Sequence, residues 1–217
     1  MKVLVACEES QAVCTAFREK GHEAYSCDII ECSGGHPEWH IQCDVLNILN
    51  PYPLISTEEG IVFETMDGLI HDVEKWDLII AHPPCTYLSN AGARFLYPKG
   101  ILNEERLQKG LAAKKFFMAL YNADCKKICV ENPIPSKVYE LPPYSQTVQP
   151  YEHGHPVQKK TCFWLKGLEP LKPTNIVEER QSTKIAGNWF NKGGKDRQKN
   201  RAKTFPGIAK AMAEQWG

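Results

Sequence analysis

The hydrophobic pattern of the chain predicts six short strands. Each is a run of five or six residues rich in apolar side chains, and turn-forming or charged residues bound most of the runs. The 76–81 run is nearly continuous in apolar residues, which is typical of a strand buried on both faces of a parallel sheet. The strands are predicted at Lys2–Ala6, Glu23–Asp28, 41–45, 76–81, 127–131 and 161–165.

Amphipathic segments between these strands predict helices. Val13, Ala16 and Phe17 share one apolar face, and Gly21 then closes the first helix. A last helix is predicted at 207–215. Because strands alternate with helices, we expect a single α/β domain over residues 1–217, with a mostly parallel central sheet flanked by helices. The longest helix is predicted at 104–123, with one apolar face formed by Leu107, Leu111, Ala112, Phe116, Ala119 and Leu120.

Two segments depart from this alternation. Residues 46–75 contain several prolines and glycines and no clear period, so we expect an insert that runs over the surface. Residues 180–203 form a basic segment before the terminal helix. The whole chain has a formal net charge of +0, but residues 1–179 carry 17 basic and 24 acidic side chains, and residues 180–217 carry 9 and 2. The neutrality is therefore a cancellation between an acidic body and a basic tail.

The basic tail has the composition of a nucleic-acid contact. Trp189, Phe190 and Phe205 flank its cations, and aromatic rings interleaved with cations suit base stacking together with phosphate binding. A solvated surface loop is the alternative interpretation. The basic residues in question are Lys192, Lys195, Arg197, Lys199, Arg201 and Lys203.

The cysteines and the apolar runs bear on the cellular location. The nine cysteines are odd in number and several lie inside apolar runs, as buried free thiols do, which favours a reducing cytoplasm. No apolar run approaches the roughly 20 residues that a membrane helix needs. The first residues turn acidic at Glu8 and Glu9, before the apolar core of a signal peptide could form. We therefore expect a cytoplasmic protein with no membrane partner.

Four chemically active side chains follow predicted strands. Asp28, Asp44, Cys85 and Glu131 fall at carboxyl ends, where open α/β sheets bind their ligands. Two prolines stiffen the backbone before Cys85, which suits a nucleophile that must meet a planar ring at a fixed angle. Burial would raise the pKa of Glu131, so that it could donate a proton at neutral pH. A thiol paired with such an acid suits attack on carbon 6 of cytosine.

A metal site is a competing interpretation of the residues that follow the second strand. Cys32, His36, His40 and Cys43 are zinc-type ligands, but they do not form the paired Cys-x2-Cys units of common structural sites. Core and loop positions account for them better, so no metal is assigned.

The catalytic candidates resemble a known family. Residues 77–85 (DLIIAHPPC) and 130–133 (VENP) are similar to the catalytic motifs of DNA cytosine-5 methyltransferases. The resemblance continues in order over most of the chain. Residues 2–28 are similar to the family's first strand, cofactor loop and second strand, 158–162 to a degraded Gln-x-Arg-x-Arg motif, and 201–213 to its terminal segment. The chain resembles a small, divergent phage or bacterial member.

This resemblance implies the S-adenosylmethionine-dependent methyltransferase (Rossmann-like) fold, and a DNA-modifying role in a prokaryotic or phage-infected cell, as in restriction-modification. Cys85 would be the nucleophile and Glu131 the acid, and Lys160 would stand for an arginine of the degraded motif. The substrate would be a flipped cytosine of duplex DNA or a single strand. Residues implied near S-adenosyl-L-methionine are Ala6, Glu8, Ser10, Asp28, Ile29, Asp44, Val45 and Pro83. Residues implied near the substrate are Pro84, Ser89, Asn132, Gln158, Lys192, Lys195, Arg197, Lys199 and Arg201.

The chain departs from the family in three places. The cofactor loop at 7–12 contains no glycine, although glycine permits close approach and positive φ. Both arginines of the degraded motif are absent. Only about 40 residues separate Cys162 from Arg201, too few for a target-recognition domain. Specificity would therefore be relaxed, or supplied by the 46–75 insert or by a protein partner.

Three alternatives stay open at the sequence level. One is methylation of an exocyclic amino group, although His82 and Cys85 around the two prolines fit that motif poorly. The second keeps the cytosine chemistry and acts on a free nucleotide. The third is a non-catalytic nucleic-acid-binding protein that keeps the fold and has lost the cofactor. The target sequence and the oligomeric state are not determined by these patterns.

Overall fold

The computed structural model describes residues 1–49, 60–182 and 202–217. The strands in this part of the chain are β1 Lys2–Ala6, β2 Glu23–Asp28, β3 His40–Gln42, β4 Ile61–Glu64, β5 Ile70–Val73, β6 Leu78–Ala81, β7 Ile128–Pro133, β8 Gln146–Val148, β9 Val157–Gln158, β10 Thr161–Lys166 and β11 Gln181–Ser182. The α-helices are α1 Ala12–Glu19, α2 Leu46–Leu49, α3 Glu104–Tyr121 and α4 Pro206–Trp216. None of the helices in these ranges has both the length and the apolar character needed to cross a membrane.

Seven strands form the central sheet, in the order β3-β2-β1-β6-β7-β10-β8. The first five are mutually parallel, whereas β10 runs antiparallel to both β7 and β8. Two small sheets, β4–β5 and β9–β11, lie outside it. This mixed α/β architecture, with a mostly parallel sheet flanked by helices, confirms the predicted fold class. All six predicted strands are present, with ends shifted by up to three residues.

The period of two along each strand divides the core between the two faces of the sheet. On β1, Val3 and Val5 face α1 and α4, and belong to the apolar cluster that contains Phe17 and Trp216. Leu4 belongs to the opposite cluster, which contains α3. Leu78 to Ala81 on β6 alternate in the same way. The sheet is therefore the middle of three layers. Because both of its faces are apolar, its polar residues lie mainly at the strand ends.

The buried face of α3 differs from the predicted one. Phe117 and Leu120 are buried with Gly110, and the Phe117 ring lies edge-on to Trp164 of β10, with centroids 4.9 Å apart. Leu111 and Ala112, which the periodicity placed on the apolar face, are exposed. Apolar residues occur around much of this helix, so periodicity by itself could not decide which stripe meets the sheet.

The 46–75 insert is not simply a surface excursion. Its described part contains α2 and the β4–β5 hairpin, and Phe63 and Val73 of that hairpin are buried in the α3-side core. Tyr25 of β2 and Trp76 pack against the Phe63 ring, with centroids 4.9 and 5.7 Å away. Because Phe63 of the hairpin packs edge-on against Tyr25 of β2, the insert covers an edge of the core. Residues 50–59 lie outside the described residues.

The α3 packing leads to a stability prediction. Phe117→Ala should lower the free energy of unfolding by about 3–5 kcal/mol, because it removes a fully buried ring and leaves a cavity against Trp164. Leu111→Ala on the same helix is the matched control, since Leu111 is 39% exposed, and it should change stability by about 0.5 kcal/mol. Urea unfolding followed by circular dichroism measures both. A larger loss from Leu111→Ala would mean that the predicted face is the buried one.

Candidate active site

Parallel pairing brings the carboxyl ends of β1, β2, β6 and β7 to one edge of the sheet. Ala6, the last residue of β1, is in register with Cys27 of β2 and with Ala81 of β6. Ala81 is in turn in register with Val130 of β7. The next residue on each of these strands therefore opens onto the same edge, as the sequence predicted for the candidate side chains. We refer to this edge, with the loops that follow the four strands, as the carboxyl edge.

The loop after β1 adopts left-handed backbone geometry without glycine. Cys7 and Gln11 both have φ of 58°. This conformation costs a non-glycine residue of order 1 kcal/mol and persists only where surrounding contacts impose it. The absence of glycine from this loop, noted as a departure from the family, therefore does not prevent the turn. Cys7 and Gln11 are thus held in a conformation that glycine adopts at lower cost.

Contacts of Gln11 supply that constraint. Its side-chain amide donates to the His36 carbonyl at 2.7 Å and accepts from the His36 amide at 3.0 Å. Gly34 packs so closely that a Cβ there would lie 2.5 Å from Gln11 Cβ. Glu9 accepts hydrogen bonds from Ser33 through its carbonyl and its carboxylate. The loop after β1 and the loop after β2 thus form one unit beside the carboxyl edge.

The Glu8 side chain caps the start of α1. Its carboxylate accepts hydrogen bonds from the amides of Val13 and Cys14 at 2.7 and 3.1 Å, which caps the helix N-terminus. Burial raises the pKa of Glu8, although the charge of His82 and the two amides oppose that shift. The side chain predicted to contact the cofactor is therefore a buried helix cap.

The Cys85 loop is tied to the loop that follows β7. The Ser89 amide donates to the Cys85 carbonyl at 3.0 Å, and the Ser136 amide donates to the Leu88 carbonyl at 2.7 Å. The Asn90 amide donates to the Ile134 carbonyl at 2.8 Å. Cys85 itself is half-buried. The two strand exits that carry Cys85 and Glu131 therefore form one hydrogen-bonded layer.

His82, which immediately precedes the two prolines, faces Glu131. Its Nδ1 lies 3.2 Å from Glu131 Oε1, and the two side chains are only 8% and 19% exposed. The two groups are close but misaligned, so neither ring nitrogen of His82 makes a hydrogen bond with another described residue. A buried imidazole without aligned partners is rare enough to need an explanation.

The charges around this pair hold it as an ion pair. Burial alone would raise the pKa of Glu131, but His82 and then Lys159 outweigh burial and lower it. For His82, burial would lower the pKa, but Glu131 and then Glu8 outweigh burial and the opposing charge of Lys159 and raise it. The expectation of a raised Glu131 pKa is therefore wrong. The sequence argument considered burial and missed the cation placed beside the carboxylate.

The acids predicted for the cofactor lie on the other half of the carboxyl edge. The half-buried Asp28 accepts from the Ile30 amide at 3.3 Å, and Asp44 accepts from the Leu46 amide at 3.0 Å. Burial raises the pKa of Asp28. Burial, then Asp28, then Asp44 raise the pKa of the Cys7 thiol, which places both acids close to Cys7. The acids and the left-handed loop end are thus neighbours.

The remaining implied cofactor residues differ in accessibility. Ala6, Val45 and Pro83 are buried, Ser10 is half-buried, and Ile29 is 71% exposed. Val45 belongs to the α3-side core, so its side chain packs inside the protein. The other assignments stay predictions.

The implied substrate residues divide in the same way. Pro84 and Gln158 are exposed, whereas Ser89 and Asn132 are buried. The Asn132 amide nitrogen donates to the Pro133 carbonyl at 2.6 Å, and its Oδ1 is buried without a hydrogen-bond partner in the described part of the chain. Lys160 is exposed, and Lys159 is the neighbour whose charge acts on His82 and Glu131. The basic residues Lys192, Lys195, Arg197, Lys199 and Arg201 lie outside the described residues.

The zinc interpretation does not fit the structure. Across residues 1–49, 60–182 and 202–217, no three His, Cys, Asp or Glu side chains are arranged to hold a metal ion. Both ring nitrogens of His40 are used within the protein, by the Ser26 hydroxyl at 2.8 Å and the Ile30 carbonyl at 2.9 Å. His36 stacks on Trp39 and pairs with Glu38. Cys43 lies beside Cys27 instead, with the two sulfurs 3.8 Å apart.

Sequence reasoning missed His82 and Lys159 as parts of the site. His82 belongs to the 77–85 motif without a role of its own in the sequence prediction, although its place at a strand exit, one strand from Glu131, is a usable signal. Choosing Lys159 over Lys160 depends on how the chain turns between β9 and β10, which a motif comparison does not give.

Comparisons with known proteins find similarity to solved structures. No protein-family model matches the chain, and no curated protein sequence matches it. Among 44 chains of solved structures that match is a prophage-encoded protein from E. coli, assigned as a DNA modification methyltransferase. The TM-score is 0.44 at 14% sequence identity, and the alignment covers 89% of this chain. This chain spans only 56% of the length of that structure.

Proposed function

We propose that this protein is an S-adenosylmethionine-dependent methyltransferase that methylates carbon 5 of cytosine in DNA through a covalent Cys85 adduct. The observation that carries the proposal is the set of backbone hydrogen bonds that joins the loop carrying Cys85 to the loop after β7, the strand whose Glu131 pairs with His82. A nucleophile and a proton donor are the two groups that attack on a cytosine ring needs. The resemblance of the motifs around Cys85 and Glu131 supports the same chemistry.

In the proposed reaction the Cys85 thiolate forms a bond to carbon 6 of the ring. The electrons of the 5,6 double bond move toward carbon 5, and nitrogen 3 takes a proton. Because Glu131 is ionised, that proton comes from His82. It would pass through the Glu131 carboxyl group once substrate binding aligns Nδ1 with Oε1, which lie 3.2 Å apart. After methylation, loss of the carbon-5 proton to water and expulsion of the Cys85 thiolate restore the double bond, and the proton on nitrogen 3 returns to the pair.

The residues around Cys7 fit the proposed cofactor. Asp28 and Asp44 offer carboxylates, which accept hydrogen bonds from ribose hydroxyls and attract a sulfonium cation. The left-handed Cys7 lets the loop after β1 turn across the same edge. S-adenosylmethionine would supply an electrophilic methyl group.

Cofactor binding is the first test of this function. Titration calorimetry should detect binding of S-adenosylmethionine by the wild-type protein. Asp28→Asn should weaken that binding about 10-fold or more, because an amide cannot replace the charge of the carboxylate. Glu31→Gln, a change of charge in the next loop, is the control and should bind normally. No binding by wild type, together with salt-sensitive DNA binding, would favour the non-catalytic nucleic-acid-binding alternative.

Covalent trapping tests the role of Cys85. Wild-type protein should form a denaturation-resistant adduct with DNA that contains 5-fluorocytosine, because fluorine blocks the proton loss needed to release the enzyme. Cys85→Ala should form none, and Cys32→Ala should behave as wild type. Mass spectrometry of the trapped peptide measures the outcome. An adduct that survives Cys85→Ala, or no adduct from an active wild-type enzyme, would contradict the mechanism and leave exocyclic amino methylation.

The ion pair predicts a specific pH dependence of adduct formation. Since the pKa of His82 is raised, its proton is present below that pKa and lost as pH rises through it, above about 6.5. Since the pKa of Glu131 is lowered, the carboxylate is lost only as pH falls below about 4.3. The adduct rate should therefore decline on the alkaline side with the His82 pKa.

His82→Gln and Glu131→Gln test this assignment. His82→Gln should slow adduct formation about 10- to 100-fold at neutral pH and remove the alkaline decline that belongs to His82. Glu131→Gln should slow it about 100-fold or more at every pH. Thermal unfolding must accompany both, because breaking a buried pair costs about 3 kcal/mol. A folded His82→Gln variant with the wild-type pH profile would show that His82 is not the proton source.

A further inference from the structure

A cleft opens at the start of α3, next to the Cys85 loop. Its volume is about 320 Å³. It lies between the segment that follows Cys85 and the first two turns of the helix. None of the residues implied by the family resemblance lines it. The side chains that line it are those of Tyr87, Phe95, Pro98, Asn103, Glu105, Arg106 and Lys109.

Aromatic rings and a guanidinium group form the centre of this cleft. The Arg106 guanidinium carbon lies 5.1 Å from the Tyr87 ring centroid and 5.3 Å from that of Phe95. Arg94 approaches Phe95 as well, at 4.7 Å. The Phe95 ring is nevertheless 50% exposed, so a face of the platform is open to solvent. Such a surface offers stacking to a planar, electron-rich ring.

The same cleft offers positive charge. Lys109 is paired with Glu105 at 2.6 Å, so its charge is largely compensated. The Arg106 guanidinium donates a hydrogen bond to the Thr86 carbonyl at 3.0 Å. This bond uses one of its five N–H groups and is its one hydrogen bond within the described residues. The remaining N–H groups can therefore meet a phosphate while the plane of the group stays stacked.

The distance from Cys85 limits what the ligand can be. Tyr87 is two residues from Cys85, so their Cα atoms are at most about 7.6 Å apart. Neighbouring nucleotides in an extended strand are separated by a similar distance. A strand that presents a cytosine to Cys85 would thus place an adjoining nucleotide at the cleft.

We propose that this cleft binds the nucleotide adjoining the target cytosine, with its base stacked on Phe95 and Tyr87 and its phosphate on Arg106. The inference rests on the proposed function, because it takes the position of the target base from Cys85. It would give the protein a second contact on the substrate strand. Stacking tolerates every base, so the contact would add affinity and a modest context preference.

Binding of a fluorescein-labelled, cytosine-containing single-stranded oligonucleotide, followed by anisotropy at several salt concentrations, tests the cleft. Phe95→Ala should raise the dissociation constant about 10-fold without changing its salt dependence. Arg106→Gln should also raise it about 10-fold and reduce the salt slope by about one. Lys115→Gln is the matched control and should bind as wild type, because Lys115 is exposed nine residues along α3 and faces the opposite side of the helix from Arg106.

The outcomes separate this proposal from the proposed function. If Phe95→Ala and Arg106→Gln bind like Lys115→Gln, or if wild type binds no oligonucleotide, the cleft is not a nucleotide site. If both variants weaken binding while wild type forms no 5-methylcytosine, the cleft proposal stands and the methylation chemistry fails. In an active enzyme, sequencing of methylated random DNA should also show a preference beside the target that Phe95→Ala reduces.

Discussion

The ion pair between His82 and Glu131 is the interaction on which the proposed chemistry depends. Two buried ionisable groups are stable together because each offsets the desolvation cost of the other, and losing either would leave an uncompensated charge. Glu8 and Lys159 extend the network on either side. The pair also links the exits of two adjacent strands, β6 and β7. A carboxylate that is ionised in this way needs a neighbouring cation as its proton source, and His82 is placed to be one.

On the other half of the carboxyl edge, the loop after β1 adopts left-handed backbone geometry without glycine. Left-handed backbone at Cys7 and Gln11 is imposed by contacts with the loop after β2. A glycine would adopt this geometry locally at little cost, whereas here the tertiary contacts of Gln11 offset the strain. The loops after β1 and β2 are consequently coupled, and a change at His36 or Gly34 should alter the site proposed for the cofactor.

Much of the fold was predictable, because strand periodicity is local. Alternating residues of β1 and β6 pack on opposite faces of the sheet, and the sequence of each strand is apolar at both sets of positions. The missed elements include α2, β8, β9, β11 and the β4–β5 hairpin, which are short or carry few apolar residues. The face of α3 was only partly right for the opposite reason: too many apolar residues made several stripes plausible. Leu107, Phe116 and Leu120 meet the core as predicted, whereas Leu111 and Ala112 are exposed. Packing against Trp164 selects the buried stripe.

For the site, the sequence by itself determined which groups lie at or near the carboxyl ends of the parallel strands, namely Asp28, Asp44, Cys85 and Glu131. It did not determine their protonation. The pKa of Glu131 depends on the His82 side chain of a neighbouring strand and on Lys159 of a distant turn. The cleft around Phe95 and Arg106 likewise joins residues from a loop and a helix. Electrostatic energies depend on distances between side chains far apart in the chain, and only the tertiary structure decides those distances.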